Sequence, residues 1–346
     1  MAGPTLFDVA QRAQVSKSTV SLVINGSQRV HATTAARVRQ AIIELNYVPN
    51  RAARALQSGR TRLIGVVVSD ITNPYFTELV RGVIVAAKAA GYDVFVFDTD
   101  YDPDQLVMHL DHLREYRPDG LILLTTERNL AAVQRLEELN LPAVLLNWAM
   151  TGRRVGEVAV DYEPGLAELV AHLLELDHRR LAFVTGPPQF YSATARERAF
   201  RAVLAAQSPS LSEQAHFFPG EFRLTAQTGV AVIESLRQIP PAERPTAVVA
   251  SNDLMAISIL RALAAEGWTV PETISVAGID DISLAAYTTP ALTTLRLPRQ
   301  EMTRLAFRAL KEMIEAPHLE ASAQSVTPRL IVRHSVGPAA RVSKNS

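Results

Sequence analysis

The chain has 346 residues, 48% hydrophobic and 20% charged, with no cysteine and as many acidic as basic side chains. That length points to two or three domains, and the missing thiols exclude disulfides, thiolate catalysis and Cys-ligated metals. No apolar run reaches the roughly 20 residues of a membrane span, and MAGPTLFDVA lacks the basic-then-apolar order of a signal peptide, so a cytoplasmic protein with no membrane partner is expected.

The zero net charge hides an asymmetry. Residues 1–62 hold nine Lys or Arg against Asp8 and Glu44, a net +7, and the remainder carries −7. A basic head on an acidic body suits a head that meets a polyanion. Thr5 is placed to cap a first helix on which Leu6, Val9, Ala10 and Ala13 share a face. After a break at Gln14 and Val15, VSKSTVSLVING (15–26) poses a choice. Its β-branched residues favour a strand, but no pairing partner lies nearby. Ser16 as N-cap, Val20, Val23 and Ile24 on one side, and Asn25-Gly26 as terminator make it a second short helix. Thr33 or Thr34 caps a third, through about Leu45, with Val38, Ala41, Ile42 and Leu45 facing inward.

Two short helices joined by a tight turn, plus a third, predict a helix-turn-helix whose second helix enters the DNA major groove. Lys17, Ser18, Ser21 and Leu22 point outward on that helix. Lys17 can donate to guanine or phosphate, Ser18 can serve several base edges, and Leu22 offers an apolar contact, as to a thymine methyl. Ser16, Thr19 and Asn25 suit phosphate oxygens, which position without specifying.

The body alternates apolar runs with helix-length amphipathic stretches. LIGVVVSD (63–70), DVFVFDTD (93–100), DGLILLTT (119–126) and PAVLLN (142–147) read as buried parallel strands. The pattern restarts with RRLAFVTG (179–186), HFFPG, TAVVASND (246–253) and ISVAGIDD (274–281), and ends on TTLRLP (293–298) and PRLIVRHS (328–335). Two such sets predict two doubly wound parallel-sheet α/β subdomains behind an all-α head. Gly-x-Gly-x-x-Gly, P-loop and Gly-x-Ser-x-Gly motifs are absent, so nucleotide-cofactor, NTPase and esterase chemistry lack their signatures. His109, Asp111 and His112 share one predicted helix, but a metal would need further ligands; a solvated face, with no metal and no cofactor, is expected.

Ligands of open α/β sheets sit beyond the carboxyl ends of the strands. The residues there are Asp70, Asn73, Tyr75 and Phe76; Asn147 and Trp148; Asp161; Phe190, Ser192 and Arg196; Phe222; Asn252 and Asp253; and Asp280. Aromatic rings can cover a sugar's C–H face while Asp, Asn and Arg grip its hydroxyls. Asp161 and Asp253 serve equally well as helix N-caps; a core role for Tyr75 and Phe76 is opposed by their place right after Pro74 at a strand end, and a surface role for Arg196 is the weaker alternative.

LFDVAQRAQVSKSTVSLVING, followed by NYVPNRAARALQSGRTRLIGVV, resembles the LacI/GalR family of bacterial transcription regulators. The resemblance implies a helix-turn-helix domain (1–48) and a hinge helix (49–60) that sits in the minor groove of specific DNA as a dimer. Leu56 is then the wedge between base steps, Arg54 lies beside the backbone, and Gln57 closes the segment. It also implies an effector-binding and dimerisation domain (61–336) with three crossovers, near 160–163, 290–295 and 316–324, and a disordered tail (337–346). Asn73, Tyr75, Phe76, Arg196, Asn252 and Asp280 match the family's ligand positions, with Trp148 and Phe222 following. Phe190 stands where purine-responsive members carry a basic residue, and Asn147 where many sugar-binding members carry Asp. Where members commonly have Gly, this chain has Asp177, which must then adopt a left-handed helix terminus.

The resulting expectation is a homodimeric repressor of carbohydrate-metabolism genes. It binds a near-palindromic operator in double-stranded DNA, is controlled by a sugar or sugar derivative in the cleft, and has no catalytic residue. A cytoplasmic sugar-binding protein without a regulatory role, a nucleoside-responsive regulator, and an α/β enzyme using Asp253 and Asp280 as an acid/base pair stay open at this level.

Overall fold

The computed structural model describes residues 3–24, 26–27, 29–48, 59–127, 130–318 and 321–340. Asn25 and the hinge residues Arg54, Leu56 and Gln57 lie outside these. The chain divides into two compact units, Met1–Thr61 and Arg62–Ser346.

The first unit holds α1 (Leu6–Ala13), α2 (Lys17–Ile24) and α3 (Ala32–Glu44). Thr5 and Asp8 form a reciprocal capping box: Thr5 N–H donates to Asp8 Oδ2 (2.7 Å) and Asp8 N–H to Thr5 Oγ1 (3.4 Å). Gln14 closes α1 in the left-handed region (φ 53°), and Ser16 Oγ accepts from Thr19 N–H (3.1 Å) as an N-cap does. The sequence stretch 15–26 is therefore helical where described, because Val20 and Val23 bury against Val9, Ala10, Ala13, Val38 and Ala41. Each buried valine contributes about 1.5–3 kcal/mol, more than the few tenths by which β-branching disfavours a helix. One expectation is corrected: α3 starts at Ala32 with His31 as N-cap, and Thr33 lies inside it, its hydroxyl within 2.9 Å of His31 Nδ1.

In chain order the second unit runs β1 (Leu63–Val68), α4 (Pro74–Ala89), β2 (Asp93–Asp98), α5 (Pro103–Tyr116), β3 (Gly120–Leu124), α6 (Leu130–Leu139), β4 (Ala143–Leu146), β5 (Val155–Val160), α7 (Glu163–Glu175), β6 (Leu181–Thr185), α8 (Tyr191–Gln207), α9 (Pro209–Glu213), β7 (His216–Pro219), α10 (Ala226–Gln238), β8 (Ala247–Ala250), α11 (Asp253–Ala265), β9 (Ser275–Asp280), β10 (Thr293–Arg296), α12 (Arg299–Glu315), β11 (Ala323–Val326) and β12 (Arg329–Ile331). It forms two six-stranded sheets, ordered β11-β5-β4-β3-β1-β2 and β12-β10-β9-β8-β6-β7. All pairings are parallel except β10 with β12. The inner strands β1, β3, β4, β6 and β8 are largely apolar and buried, as parallel strands covered by helices on both faces are. Asp177 takes the left-handed conformation (φ 65°) that its position demands.

The chain leaves the first sheet after β5, at 161–162. The other two crossings fall later than the expected 290–295 and 316–324. β10 still pairs with β9 in the second sheet, so the second crossing is at 297–298. The short strand β11, unseen in the sequence, pairs with β5 in the first sheet, so the third is at 327–328. The expected tail is also corrected at its start. Gly337 O accepts from His178 Nε2 (2.9 Å), Gly337 N–H donates to Ser275 Oγ (3.1 Å) and Ala339 N–H donates to Leu176 O (2.8 Å). Buried His178 is an anchor the tail could not lose without leaving a ring nitrogen unpaired. Among the described residues no helix is long and apolar enough to cross a membrane.

Candidate effector cleft and DNA-reading surface

The carboxyl ends of the two sheets face each other across a cleft enclosing about 30 Å³, room for about two water molecules. Asn73, Tyr75, Phe76, Asn147, Ser192, Arg196, Phe222, Asn252 and Asp280 all line it. Arg196, on the second turn of α8, is its electrostatic centre. Its Nη2 donates to Asp280 Oδ1 (2.9 Å), its Nη1 donates to Ser251 O (2.5 Å), and its guanidinium lies 5.2 Å from the Tyr162 ring centre. Arg196 and Asp280 are both 5% exposed, so this is a desolvated pair. Asn73 caps α4 by accepting from Tyr75 N–H (3.0 Å) and turns its amide toward Tyr101 Oη (3.4 Å). Asn252 caps α11 by accepting from Met255 N–H (2.8 Å) and donates to Phe222 O (3.0 Å).

Asp280 and Asp281 are consecutive non-glycine residues with positive φ, 125° and 53°. Such a turn costs of order 1–3 kcal/mol per residue and persists only when its surroundings fix it. Arg299 does so: Nη1 donates to Asp280 O, Nη2 to Asp281 O (2.8 Å), and Nε to Glu78 Oε2 on α4 (2.8 Å). Asp281 is further held by Arg296 and Arg333, both at 2.6 Å. The strained turn aims the Asp280 carboxylate into the cleft.

Five of the strand-end candidates do not line the cavity, among them Asp70, which accepts from Thr72 N–H (2.8 Å). Trp148 is buried in the core of the first subdomain, with Nε1 donating to Thr125 O (2.8 Å). The left-handed turn at Asn147 (φ 58°) and Ala149 (φ 52°) directs Asn147, not Trp148, to the cleft. Asp161 is exposed and accepts from Glu163 N–H (3.2 Å) at the start of α7. Phe190 stacks on Phe222 (5.7 Å between ring centres) behind the lining. Asp253 accepts from Ile282 N–H (2.8 Å) and Thr294 Oγ1 (2.5 Å), tying α11 to the strained turn. Conversely Tyr101, Thr125, Thr126 and Tyr162 line the cavity and went unnoticed. All four lie at strand ends, so the rule that found the others reaches them too.

Burial holds the Tyr75, Tyr101 and Tyr162 phenols above their ordinary range, so they stay neutral hydroxyls. Burial and the charge of Asp280 push Asp253 well above the usual carboxylate range, and burial raises Asp280 against the pull of Arg196 and Arg299. A carboxyl with a raised folded value binds its proton more tightly when folded. Its stabilisation is full below the unfolded value of about 3.9 and is lost as pH rises through the folded value. Urea unfolding from pH 4 to 8 should therefore show the wild type losing stability relative to Asp253→Asn as pH rises; parallel profiles would refute the assignment.

The mouth of the cleft is closed by contacts between subdomains. Arg223 donates to Asp100 O (2.7 Å) and pairs with its carboxylate (2.6 Å), and its guanidinium lies 5.3 Å from the Tyr101 ring centre. Tyr101 packs against Phe190 (5.6 Å) and Phe222 (6.3 Å). Asp100 and Tyr101 both have positive φ (54° and 62°). An exposed ion pair is worth only about 0.2–1 kcal/mol, so this clasp yields easily. Arg223→Ala should raise hydrogen exchange of the Tyr101 and Asp102 amides by about 3–10-fold; unchanged exchange would show that the clasp restrains nothing.

In the first unit Ser16, Lys17, Ser18 and Leu22 are exposed, and Thr19 and Ser21 are half-buried. Lys17 Nζ lies 4.9 Å from the ring centre of Phe7, an exposed aromatic that sequence reasoning passed over. Both acids of this unit are engaged, Asp8 by Thr5 and Glu44 by Arg12 (2.5 Å), which leaves the surface basic. His109, in the body, stacks on Phe97 (4.8 Å), and its Nε2 lies 2.9 Å from Asp98 O; among the described residues no group of three or more His, Cys, Asp or Glu is placed to hold a metal ion.

A basic three-helix unit carried on the same chain as a two-lobed α/β unit with a polar cleft defines a class: DNA-reading proteins with a small-molecule receptor domain. Residues 5–50 match the lacI family of bacterial regulatory proteins, and residues 170–336 match the periplasmic binding protein-like domain. The HTH-type transcriptional repressor PurR of Aliivibrio salmonicida (strain LFI1238) is 34% identical, over 96% of this chain and 98% of its own. The ribose operon repressor of Escherichia coli (strain K12) is 34% identical, over 96% and 99%. A crystal structure of the lac repressor dimer bound to operator and the anti-inducer ONPF superposes with a TM-score of 0.81 at 27% identity, covering 97% of this chain and 100% of that one. The chain belongs to the LacI family of bacterial regulatory proteins.

Proposed function

We propose that this protein is a homodimeric transcription repressor whose operator affinity is set by a small polyhydroxylated effector, a sugar or sugar derivative, in the inter-subdomain cleft. One observation carries the effector reading. Thr125 Oγ1, Thr126 Oγ1, Ser192 Oγ and Arg196 Nε are buried without a hydrogen-bond partner among the described residues, and all four residues line the same cavity. Unpaired buried polar atoms cost free energy, and their convergence fits a ligand rich in hydroxyls. The relatives' names support a repressor and, for one of them, a ribose operon. The family is regulatory, which supports a binding protein in preference to an enzyme.

In this reading two α2 helices enter major grooves with Lys17, Ser18, Ser21 and Leu22 outward toward the groove and Ser16, Thr19 and Asn25 toward phosphates. Paired Leu56 side chains kink the central step, flanked by Arg54 and Gln57. The effector prefers one closure state of the cleft, and that preference is the coupling free energy to the hinge. Leu56→Ala tests the hinge: operator affinity should drop by at least tenfold, about 1.4 kcal/mol, with unfolding of the second unit unchanged. Undiminished affinity would remove the hinge from the mechanism.

A further inference from the structure

We infer that the cleft takes an uncharged polyhydroxylated ligand and rejects the phosphate esters of the same compounds. This rests on the reading of the cleft as the effector site and adds the charge class of the effector.

Charge in the lining is already matched. Arg196 and Asp280 are the two charged side chains among the lining residues, and they answer each other at 2.9 Å. Phosphate recognition by arginine uses a fork of two N–H groups. Here one N–H of Nη2 donates to Asp280 and one N–H of Nη1 to Ser251 O, so both arms of the fork already hold an acceptor. Arg196 Nε remains, together with the hydroxyls of Thr125, Thr126 and Ser192. A guanidinium edge whose charge is already matched, with three hydroxyls, suits sugar oxygens, each of which both donates and accepts.

Behind the lining the balance turns acidic. Arg299 is held by Glu78, Arg296 and Arg333 by Asp281, and Arg223 at the mouth by Asp100. Asp70 and Glu127 are also buried. Asp70 accepts from Thr72 N–H (2.8 Å) and Thr72 Oγ1 (2.6 Å), and Glu127 accepts from Ser69 Oγ (2.6 Å) and Thr99 Oγ1. With Asp253 they make three buried carboxyls that form no ion pair among the described residues. The starts of α4 and α11 are answered by Asn73 and Asn252. The start of α8 has no side-chain cap, but one helix dipole falls short of desolvating a dianion beside these acids. A phosphate group here would have to break the Arg196–Asp280 pair and leave Asp280 buried and uncompensated.

The test is calorimetric titration of the full-length chain with matched pairs: D-ribose and D-ribose 5-phosphate, D-glucose and D-glucose 6-phosphate, D-fructose and D-fructose 6-phosphate. At least one neutral member should bind, with its phosphate ester at least 100-fold weaker. Asp280→Asn removes the buried counter-charge of Arg196 and should narrow that gap at least tenfold. An ester that binds the wild type as tightly as its parent sugar, with binding lost in Arg196→Gln, would overturn the inference. So would an unchanged gap in folded Asp280→Asn, since the Arg196–Asp280 pair would then not be the cause. If none of the six compounds binds the wild type, the sugar reading of the cleft itself fails, an outcome distinct from failure of the charge rule.

Discussion

Replacing Arg196 by methionine is expected to lower folding stability by about 3–5 kcal/mol at pH 8 and to abolish effector binding. The substitution keeps much of the side-chain volume but leaves the buried Asp280 without its counter-charge and Ser251 O without its donor. The loss should shrink as pH falls, because without Arg196 the Asp280 carboxyl rises further and the folded state neutralises it by binding a proton. Arg196→Lys keeps the charge and loses the fork, so it should fall between the two. Urea unfolding at pH 8 and pH 5 measures both magnitude and direction. A loss below about 1 kcal/mol at pH 8 would place Arg196 among ordinary surface substitutions and remove it from the centre of the cleft.

Trp148→Ala is expected to cost about 3–5 kcal/mol, the usual range for emptying a large aromatic site in a core. Trp148 packs with Val67, Leu106, Leu110, Leu113 and Leu145, on the far side of the cleft floor. Trp148→Phe should cost less, about 1–3 kcal/mol, mostly for the buried Thr125 carbonyl left without its donor. If Trp148 only supports the floor, Trp148→Phe should leave affinity for a cleft-binding sugar within about threefold, under 1 kcal/mol. An affinity loss of a hundredfold with stability unchanged would return Trp148 to the ligand's own contacts.

What could be read from the residues depended on whether a local rule was sufficient. The first two helices of the head were legible because capping and periodicity agree there, Thr5 with Asp8 and Ser16 with Thr19; the third was legible from its inward-facing residues alone, since His31 and not a threonine is its N-cap. The strands were legible as apolar runs, and the rule of strand carboxyl ends led to most of the lining. The misplaced residues lie where backbone turns override that rule. Asn147 and Ala149 adopt left-handed conformations that swing Trp148 into the core, and Phe190 was displaced by stacking on Phe222. Asp253, considered either as a cap or as a ligand, is not the cap: Asn252 caps the helix, and the aspartate, outside the cavity lining, clamps Ile282 and Thr294. The later crossings were hidden because β11 is a four-residue strand, AQSV, whose only apolar signal beyond Ala323 is Val326. Its existence depends on an edge of β5 that no local pattern reveals.

The most direct measurement is selection by the full-length chain from a pool of randomised DNA duplexes at physiological salt, repeated with Leu56→Ala. The wild type is predicted to enrich a near-palindromic site whose two half-sites flank a readily kinked pyrimidine–purine step, and Leu56→Ala to lose that enrichment while keeping weak binding to any duplex. A wild-type pool that stays unenriched would contradict sequence-specific DNA recognition by this protein.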